Sequence, residues 1–287
     1  MDGLTFDIRP GVVTGFLGPN GAGKSTTMRM MLGLDHPTAG SVSIGGRRYR
    51  DLEAPMRQVG ALLDARCVHG KHTASRHLRW LADAGGLPRS RVEEVLDQVG
   101  LAQVADRRVG GFSLGMSQRL GIAAALLGDP GTLLFDEPMN GLDPDGIRWI
   151  RTLLQRFAAE GRTVVVSSHL MHEMEETADH VLVIRRGRLI ADTSITELTQ
   201  RAAGSHVRVV SPDAGALGAL VERAGGQAST DADGSLAVSG LPAAHLGDLA
   251  AEHGLRLHEL TPRHASLEAA FMELTRNAVE YAPEAVR

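Results

Sequence analysis

The sequence predicts an α/β fold in which one large domain is followed by a smaller α+β domain. Three observations carry this prediction. Short apolar, β-leaning runs at residues 12–17 and 163–167 alternate with segments of helical periodicity such as residues 147–159. A glycine-rich octapeptide at residues 18–25 joins the first run to a helix-like segment. The chain has 287 residues, 43% of them apolar, which is enough for a large core and a smaller one.

The chain opens with a predicted strand. Leu4, Phe6 and Ile8 alternate with polar residues, and the turn residues Pro10 and Gly11 lead into the run at residues 12–17. We therefore expect two consecutive strands before the octapeptide.

The octapeptide fits the phosphate-binding pattern G-x-x-x-x-G-K-[ST]. Its glycines permit turns in which successive N–H groups surround phosphate oxygens, and the following helix adds its positive end. Lys24 is predicted to reach the terminal phosphates of a nucleoside triphosphate, and the Ser25 hydroxyl to bind Mg²⁺. The alternative, a glycine-rich turn that binds nothing, is disfavoured because the motif and its flanking elements agree. The predicted nucleotide contacts of this loop are Gly18, Pro19, Asn20, Gly21, Ala22, Gly23, Lys24, Ser25 and Thr26.

Two extended segments and a helical insert follow. Residues 41–44 are predicted to form a strand, and residues 56–64 an extended run that ends in Asp64. From about residue 65 to 129 the pattern becomes helical; residues 91–99, for example, place apolar side chains at i, i+3, i+4 and i+7. The sequence thus predicts a helical subdomain inserted in an α/β sheet.

Polar residues mark the end of this insert and the next strand. Ser113 is the predicted N-cap of a helix that runs towards Gly128. The apolar strand at residues 132–136 ends in two adjacent carboxylates, Asp136 and Glu137. Because adjacent residues of a strand point in opposite directions, these two groups can serve different partners.

These motifs, in this order, resemble those of ABC ATPases, the nucleotide-binding subunits of ABC transporters. The similarity covers about residues 4–198. The octapeptide corresponds to Walker A, residues 133–137 to Walker B with its following glutamate, residues 112–116 to the signature usually written LSGGQ, residues 140–143 to the D-loop, and His169 to the switch histidine. The signature is the most specific of these, because many other NTPases share the two Walker motifs but lack it.

The resemblance implies roles for the matched residues. Asp136, together with Ser25, would hold Mg²⁺, and Glu137 would orient and deprotonate the attacking water. Lys24 and His169 would complete the catalytic set at the phosphates of ATP.

The resemblance also implies a partner for the signature residues. Ser113 and Gly115 would contact the nucleotide of a second cassette, so that ATP is sandwiched between two subunits. Since one chain holds every motif, a homodimer would contain two complete sites.

The chain departs from the family pattern in three places. Leu114 and Met116 replace a Gly and a Gln of the usual signature. Asp64 stands where the family has its Q-loop glutamine, and a metal contact by Asp64 is a further possibility. The aromatic residue that stacks on adenine would lie upstream of Leu4, where this chain has no counterpart. We expect either a true start before Met1, which is the favoured interpretation, or a more loosely held adenine.

After residue 198 the motifs end. Residues 1–200 are predicted to form the ATP-binding cassette, and residues 201–205 lie in a predicted linker. Residues 206–260 read as β-α-β-β-α-β, which predicts a ferredoxin-like domain within an accessory or regulatory region at residues 206–287. A last helix begins at Ser266. The residues from Ser266 to Phe271, with Thr275 and Tyr281, resemble the ends of ABC-2-type drug-resistance exporter cassettes.

Charge and cysteine content limit the remaining possibilities. A net charge of −4 and a pI near 6.3 give no general reason to bind nucleic acid, and no nucleic-acid partner is expected. Cys67 is the only cysteine, which excludes an intrachain disulfide and favours a reducing cytosol. No apolar run approaches the ~20 residues that cross a bilayer, and the first residues are not a signal peptide.

The favoured function is that of an ATPase subunit that powers export of a drug, lipid or peptide-like cargo through a separate membrane permease. Such a protein would be cytoplasmic and held at the inner face of the membrane by the permease. The alternative is a soluble ABC ATPase that acts on ribosomes or DNA. One cassette, no long heptad run and no basic tail favour the transporter.

Two other motifs are interpreted as structural. Cys67, His69, His72 and His77 lie close in sequence, but their spacing matches no standard zinc pattern. His172 and Glu173 begin like a zinc-protease motif, but Glu176 replaces its second histidine, so a helix surface is expected.

Overall fold

A computed structural model describes residues 1–65, 68–202 and 204–277. The chain divides into two compact units, Met1–Ile195 and Thr196–Arg287. The division falls at residue 195, whereas the sequence placed the end of the first domain at residue 200.

The first unit is α/β. In chain order it contains β1 (Val13–Leu17), α1 (Lys24–Met31), α2 (Pro55–Gln58), β2 (Val59–Leu62), α3 (Ala74–Ala84), α4 (Ser90–Gln98), α5 (Leu114–Leu126), β3 (Thr132–Asp136), α6 (Pro144–Ala159), β4 (Thr163–Ser168), α7 (Met171–Thr177), β5 (His180–Arg185) and β6 (Arg188–Ser194). The strands form one sheet in the order β2-β3-β4-β1-β5-β6. All neighbours pair in parallel except β6, which is antiparallel to β5. The predicted α/β fold is confirmed.

The centre of this sheet explains its apolar strands. Every residue of β1 is buried, because β4 and β5 flank it and other elements cover it. Phe16 packs with Met28 of α1 and with Leu134 and Val165 of the neighbouring strands in one core cluster. Strands buried in this way read as continuous apolar runs, which is why they were visible in the sequence.

The helical insert is formed by α3, α4 and α5. The Thr73 hydroxyl caps α3 by accepting from the Arg76 amide, and the apolar face of α4 is buried. The predicted N-cap Ser113 is confirmed, since its hydroxyl accepts from the Met116 amide at 3.2 Å.

Two predicted strands of the first unit are wrong. Residues 4–8 form no strand, and residues 41–44 contribute only an isolated bridge between Ile44 and Arg47. Their apolar side chains pack on the core, with the Phe6 and Phe16 ring centroids 5.9 Å apart. Alternation reports which side chains are buried, but a strand also needs a neighbouring backbone in register. A cavity of about 190 Å³ lies between these two segments and strands β3 and β4 of the sheet.

The second unit is a small α+β fold. It contains α8 (Ile195–Arg201, whose first residue closes the first unit), β7 (His206–Val210), α9 (Ala214–Arg223), β8 (Gln227–Thr230), β9 (Leu236–Ser239), α10 (Ala243–Glu252), β10 (Glu259–Arg263) and α11 (Leu267–Asn277). Its sheet has the order β10-β7-β9-β8, and all three pairings are antiparallel. This is the predicted β-α-β-β-α-β arrangement, with Val209, Val238 and Leu246 in its core.

No helix in the described ranges is long and apolar enough to cross a bilayer. Cys67 and Tyr281 lie outside the described residues.

Candidate nucleotide-binding site

The octapeptide forms a tight loop between β1 and α1. Gly21 and Gly23 adopt positive φ values of 78° and 112°, which only glycine reaches without strain. Gly18 has a different constraint, because a Cβ there would lie 2.5 Å from the carbonyl oxygen of Ile184. The Ala22 amide donates to the Pro19 carbonyl at 3.0 Å, and the Ala22 carbonyl accepts from Gly187. The loop is therefore held both internally and by the β5–β6 hairpin.

Lys24 is the first residue of α1 and is only 7% exposed. Its ammonium donates to the carbonyl oxygen of Gly18 at 2.7 Å, so the positive charge lies inside the loop. Ser25 and Thr26 are exposed on the first turn of the helix. A buried cation, loop amides and a helix N-terminus together form an environment suited to phosphate.

The carboxylates Asp136 and Glu137 stand at the end of β3. Sheet register pairs Asp136 with Ser167 of β4. The fully buried Ser167 hydroxyl donates to Asp136 Oδ1 and accepts from the Glu137 amide at 2.9 Å. Glu137 itself has a φ of 50°, unusual for a residue other than glycine. One serine therefore orients the first carboxylate and anchors the backbone of the second.

His169 follows β4 and meets the second carboxylate. Its Nδ1 lies 2.8 Å from Glu137 Oε2, and its backbone amide lies 3.4 Å from the same oxygen. The structure therefore brings together two residues that the sequence separates by 32 positions.

The predicted signature lies beside the predicted D-loop of the same chain. A Cβ on Gly115 would lie 3.2 Å from the Gly141 carbonyl oxygen, and one on Gly141 would lie 2.2 Å from Leu114 Cδ2. Asp143 caps α6 by accepting from the Gly146 amide at 2.8 Å. This cap starts α6 at Pro144, three residues before the helix expected from residue 147.

Asp64 follows β2, whose last residue Leu62 pairs with Phe135 of β3. Asp64 is exposed at the same edge of the sheet as the two carboxylates. Parallel strands β1, β2, β3 and β4 thus direct all the predicted catalytic residues, and Asp64, to one edge.

Comparisons with known proteins agree with this geometry. A family model described as ABC transporter matches residues 1–140. The bacitracin transport ATP-binding protein BcrA of Bacillus licheniformis is 41% identical over 70% of this chain and 67% of that protein. The lantibiotic transport ATP-binding protein SrtF of Streptococcus pyogenes is 38% identical over 67% of this chain and 83% of that protein.

The chain belongs to the ABC transporter ATP-binding family.

A solved structure agrees with this assignment. The ATP-binding cassette MJ0796, in a dimeric post-hydrolysis state bound to ADP and Pi, is 26% identical with a TM-score of 0.60, covering 66% of this chain and 88% of that one. The chain spans about two thirds of the length of BcrA. A second family model, described as a domain of unknown function (DUF8746), matches residues 205–268.

The donor set of this ABC cassette fits ATP with Mg²⁺. Mg²⁺ prefers hard oxygen ligands and keeps several waters, and the Ser25 hydroxyl and the Asp136 carboxylate are such ligands. The glycine cradle, which a Cβ at Gly18 would obstruct, leaves backbone amides for phosphate oxygens.

Sequence reasoning missed two residues of the cassette. Ser167 is interpreted only as the end of a strand, although its place two residues before His169 is a usable signal. Gln118 has no role predicted from the sequence, but its side chain donates to the carbonyls of Glu137 and Asn140. It lies in the apolar stripe that includes Ile122 and Ala125, and a polar residue in such a stripe is itself a signal.

The histidines near Cys67 form no recognisable metal centre in the described residues. The rings of His69 and His72 lie 5.2 Å apart, and burial together with His72 lowers the pKa of His77. No group of three potential ligands occurs within the described ranges, which do not include Cys67.

Proposed function

We propose that the chain hydrolyses ATP as the energy-supplying subunit of an ABC exporter for peptide-like cargo. The observation that carries the proposal is the cluster at one sheet edge, where Glu137 meets His169 beside Asp136 and the Walker A loop. The names of BcrA and SrtF, a bacitracin transport and a lantibiotic transport ATP-binding protein, support the choice of cargo class. A separate permease and a second copy of this chain complete the proposed assembly, which would lie at the cytoplasmic face of the membrane.

The chemistry follows from the residues at this edge. Lys24 supplies a buried positive charge, for which a phosphate oxygen is a stronger acceptor than the Gly18 carbonyl. His169 holds Oε2 of Glu137, and the other carboxylate oxygen takes a proton from the attacking water. The water oxygen bonds to the γ-phosphorus while the bond to the bridging oxygen breaks, which releases ADP and phosphate. Mg²⁺, held by Ser25 and Asp136, would neutralise charge on the phosphates.

Ser113 and Gly115 are proposed to act on the nucleotide of the partner cassette. Ser113 caps the 13-residue helix α5, whose N-terminus is a favourable place for an anion. This role requires dimerisation, so we expect ATP-dependent association of two chains.

The substitution Glu137→Gln tests the proposed base. It keeps the shape of the side chain but removes its basicity, so turnover should fall by about 100- to 10,000-fold while ATP binding persists. Phosphate release, a fluorescent-nucleotide titration and size exclusion with ATP measure turnover, affinity and a trapped dimer. Glu53→Gln is the matched control, because this side chain is 91% exposed. Hydrolysis by Glu137→Gln at the parental rate would refute the assignment.

The export function has its own test. The gene beside this one should encode a protein with several hydrophobic spans of ~20 residues each. The chain and that protein, reconstituted together in vesicles, should move a bacitracin-like peptide when ATP is supplied, and the Glu137→Gln chain should not. Equal movement with both chains would contradict the coupling.

A further inference from the structure

The side chain of Gln118 connects the signature helix to the predicted catalytic glutamate. Gln118 lies in the second turn of α5 and is only 6% exposed. Its Nε2 donates to the carbonyl oxygens of Glu137 and Asn140, each at 3.2 Å. Its Oε1 has no hydrogen-bond partner among the described residues. The contacts that orient this buried amide within the described chain are therefore the two carbonyls.

Those two carbonyls frame the turn that carries Glu137. The Asn140 amide donates to the Glu137 carbonyl at 3.2 Å, so Glu137 O accepts from both Asn140 and Gln118. On the other side, the Glu137 amide donates to Ser167. A glutamate at a φ of 50° persists only where its surroundings hold it. Gln118 and Ser167 supply that hold from the two sides of the residue.

Helix α5, which carries Gln118, is held to other helices of the first unit by the neighbouring residue Arg119. Arg119, the next residue of α5, donates to the Val99 carbonyl at 3.0 Å after α4. Its guanidinium carbon lies 4.4 Å from the ring centroid of Trp149 on α6. A change in the position of α5 would therefore act on the backbone of Glu137 through Gln118.

We propose that Gln118 is a positioning residue for ATP hydrolysis. It fixes the backbone of Glu137, and hence the place of the carboxylate, relative to the helix that begins at Ser113. Gln118 acts through the turn that carries Glu137, because its amide donates to the carbonyls of Glu137 and Asn140. This inference rests on the proposed function, since it gives a role to a residue behind the proposed base.

A purely structural role for Gln118 leads to a different expectation. A buried amide that only fills the core would, when replaced, lower the free energy of unfolding and leave the chemical step of the folded enzyme unchanged. A positioning role predicts a loss in kcat with little change in nucleotide affinity, because only the reacting geometry is disturbed.

The test uses Gln118→Leu in the full chain. This variant keeps a similar volume but donates no hydrogen bond. We expect kcat to fall about 100-fold and the Kd for a fluorescent ATP analogue to stay within about threefold. Gln155→Leu is the control for loss of an amide hydrogen bond, because the exposed Gln155 also donates from Nε2 to a backbone carbonyl, that of Glu176 at 3.1 Å, between α6 and α7. If Gln118→Leu does not fold, Gln118→Met, which is unbranched, similar in length and donates no hydrogen bond, carries the same prediction.

A double variant separates action through Glu137 from a general effect. In single-turnover measurements of residual hydrolysis, Gln118→Leu should cause little further loss when Glu137 is already glutamine. An equal fractional loss in both backgrounds would overturn the inference, as would a single variant with the parental kcat.

The parent and Glu137→Gln chains, assayed in parallel, keep the two proposals distinguishable. A parent that hydrolyses no ATP contradicts the proposed function and this inference with it. A parent that hydrolyses ATP, with an inactive Glu137→Gln chain, upholds the proposed function and leaves Gln118 to be decided by its own variants.

Discussion

The two units of the chain use β-strands in contrasting ways. In the first unit, β1 to β4 run parallel, so the segments after them meet at one edge and bring Lys24, Glu137 and His169 towards a common place. In the second unit all pairings are antiparallel, so the ends of strands that neighbour each other in the sheet lie at opposite edges. Both sheets bury apolar side chains, but only the parallel arrangement collects polar residues from distant parts of the sequence.

The two units also differ in where residues other than glycine adopt positive φ values. Among the described residues, Asp129, Glu137 and Arg186 are the non-glycine residues with positive φ, and all three belong to the first unit. In the second unit the described positive φ values occur at glycines. Strain at a non-glycine residue persists where other contacts hold it, and such positions concentrate at functional sites. The contrast supports a division in which the first unit carries the chemistry, and the following predictions test that division.

The largest effect on nucleotide binding is expected from Lys24→Ala. Loss of a buried charged donor should weaken ATP binding by about 100-fold. A fluorescent-nucleotide titration measures this. The chain has one other lysine, Lys71, which is exposed, so Lys71→Ala is a matched control that should bind as the parent does. Equal affinities of the parent and Lys24→Ala would show that the loop does not hold the phosphates.

Two buried serines, one in each unit, allow the contributions of the units to kcat to be compared directly. Ser167 and Ser235 are both buried, and each hydroxyl donates to an aspartate: Asp136 in the first unit, and Asp233, at 2.6 Å, in the second. Ser167→Ala should lower kcat by about tenfold, because it frees both the Asp136 carboxylate and the Glu137 backbone. Ser235→Ala should leave kcat unchanged. The measurement is steady-state phosphate release, with thermal unfolding to confirm that both variants fold. Equal losses of kcat in the two variants would break the comparison.

The parts of the site that the sequence predicted are local. The Walker A loop depends on glycines and a lysine within eight positions. The strand before it and the helix after it are likewise predicted by the residues of those segments alone. Ser113 at the start of α5 is similar, since a cap bonds to an amide three residues away. For such features, spacing in sequence determines spacing in space.

The missed parts depend on contacts between distant residues. Gln118 reaches carbonyls 19 and 22 positions away, and Ser167 reaches Asp136 through the pairing of β3 with β4. The prediction of a strand at residues 4–8 was wrong for a related reason. Apolar and polar residues alternate there, but a strand also needs a neighbouring strand with which to pair. Predicting these features requires the topology of the sheet, which a single sequence does not specify residue by residue.

The smallest effect is expected in the second unit, from Asp233→Asn. The Ser235 hydroxyl, and then Arg208, which donates at 2.7 Å, hold the pKa of Asp233 well below its ordinary value of 3.8. A lowered folded-state pKa stabilises the fold above the unfolded-state pKa, and this contribution is lost as the pH falls through the folded-state pKa. The variant should therefore be less stable than the parent at pH 7, and the difference should shrink as the pH is lowered below about 4.

Hydrogen exchange of the β7 and β9 amides in the full chain measures this difference within the second unit, and the ATPase rate of Asp233→Asn at pH 7 should equal that of the parent. Asp231→Asn is the closest control, because the Ser235 hydroxyl lies farther from that carboxylate, at 3.4 Å. A stability difference that grows towards low pH would contradict the role of the Asp233 charge. A fall in the ATPase rate of the folded variant would show that the second unit takes part in hydrolysis.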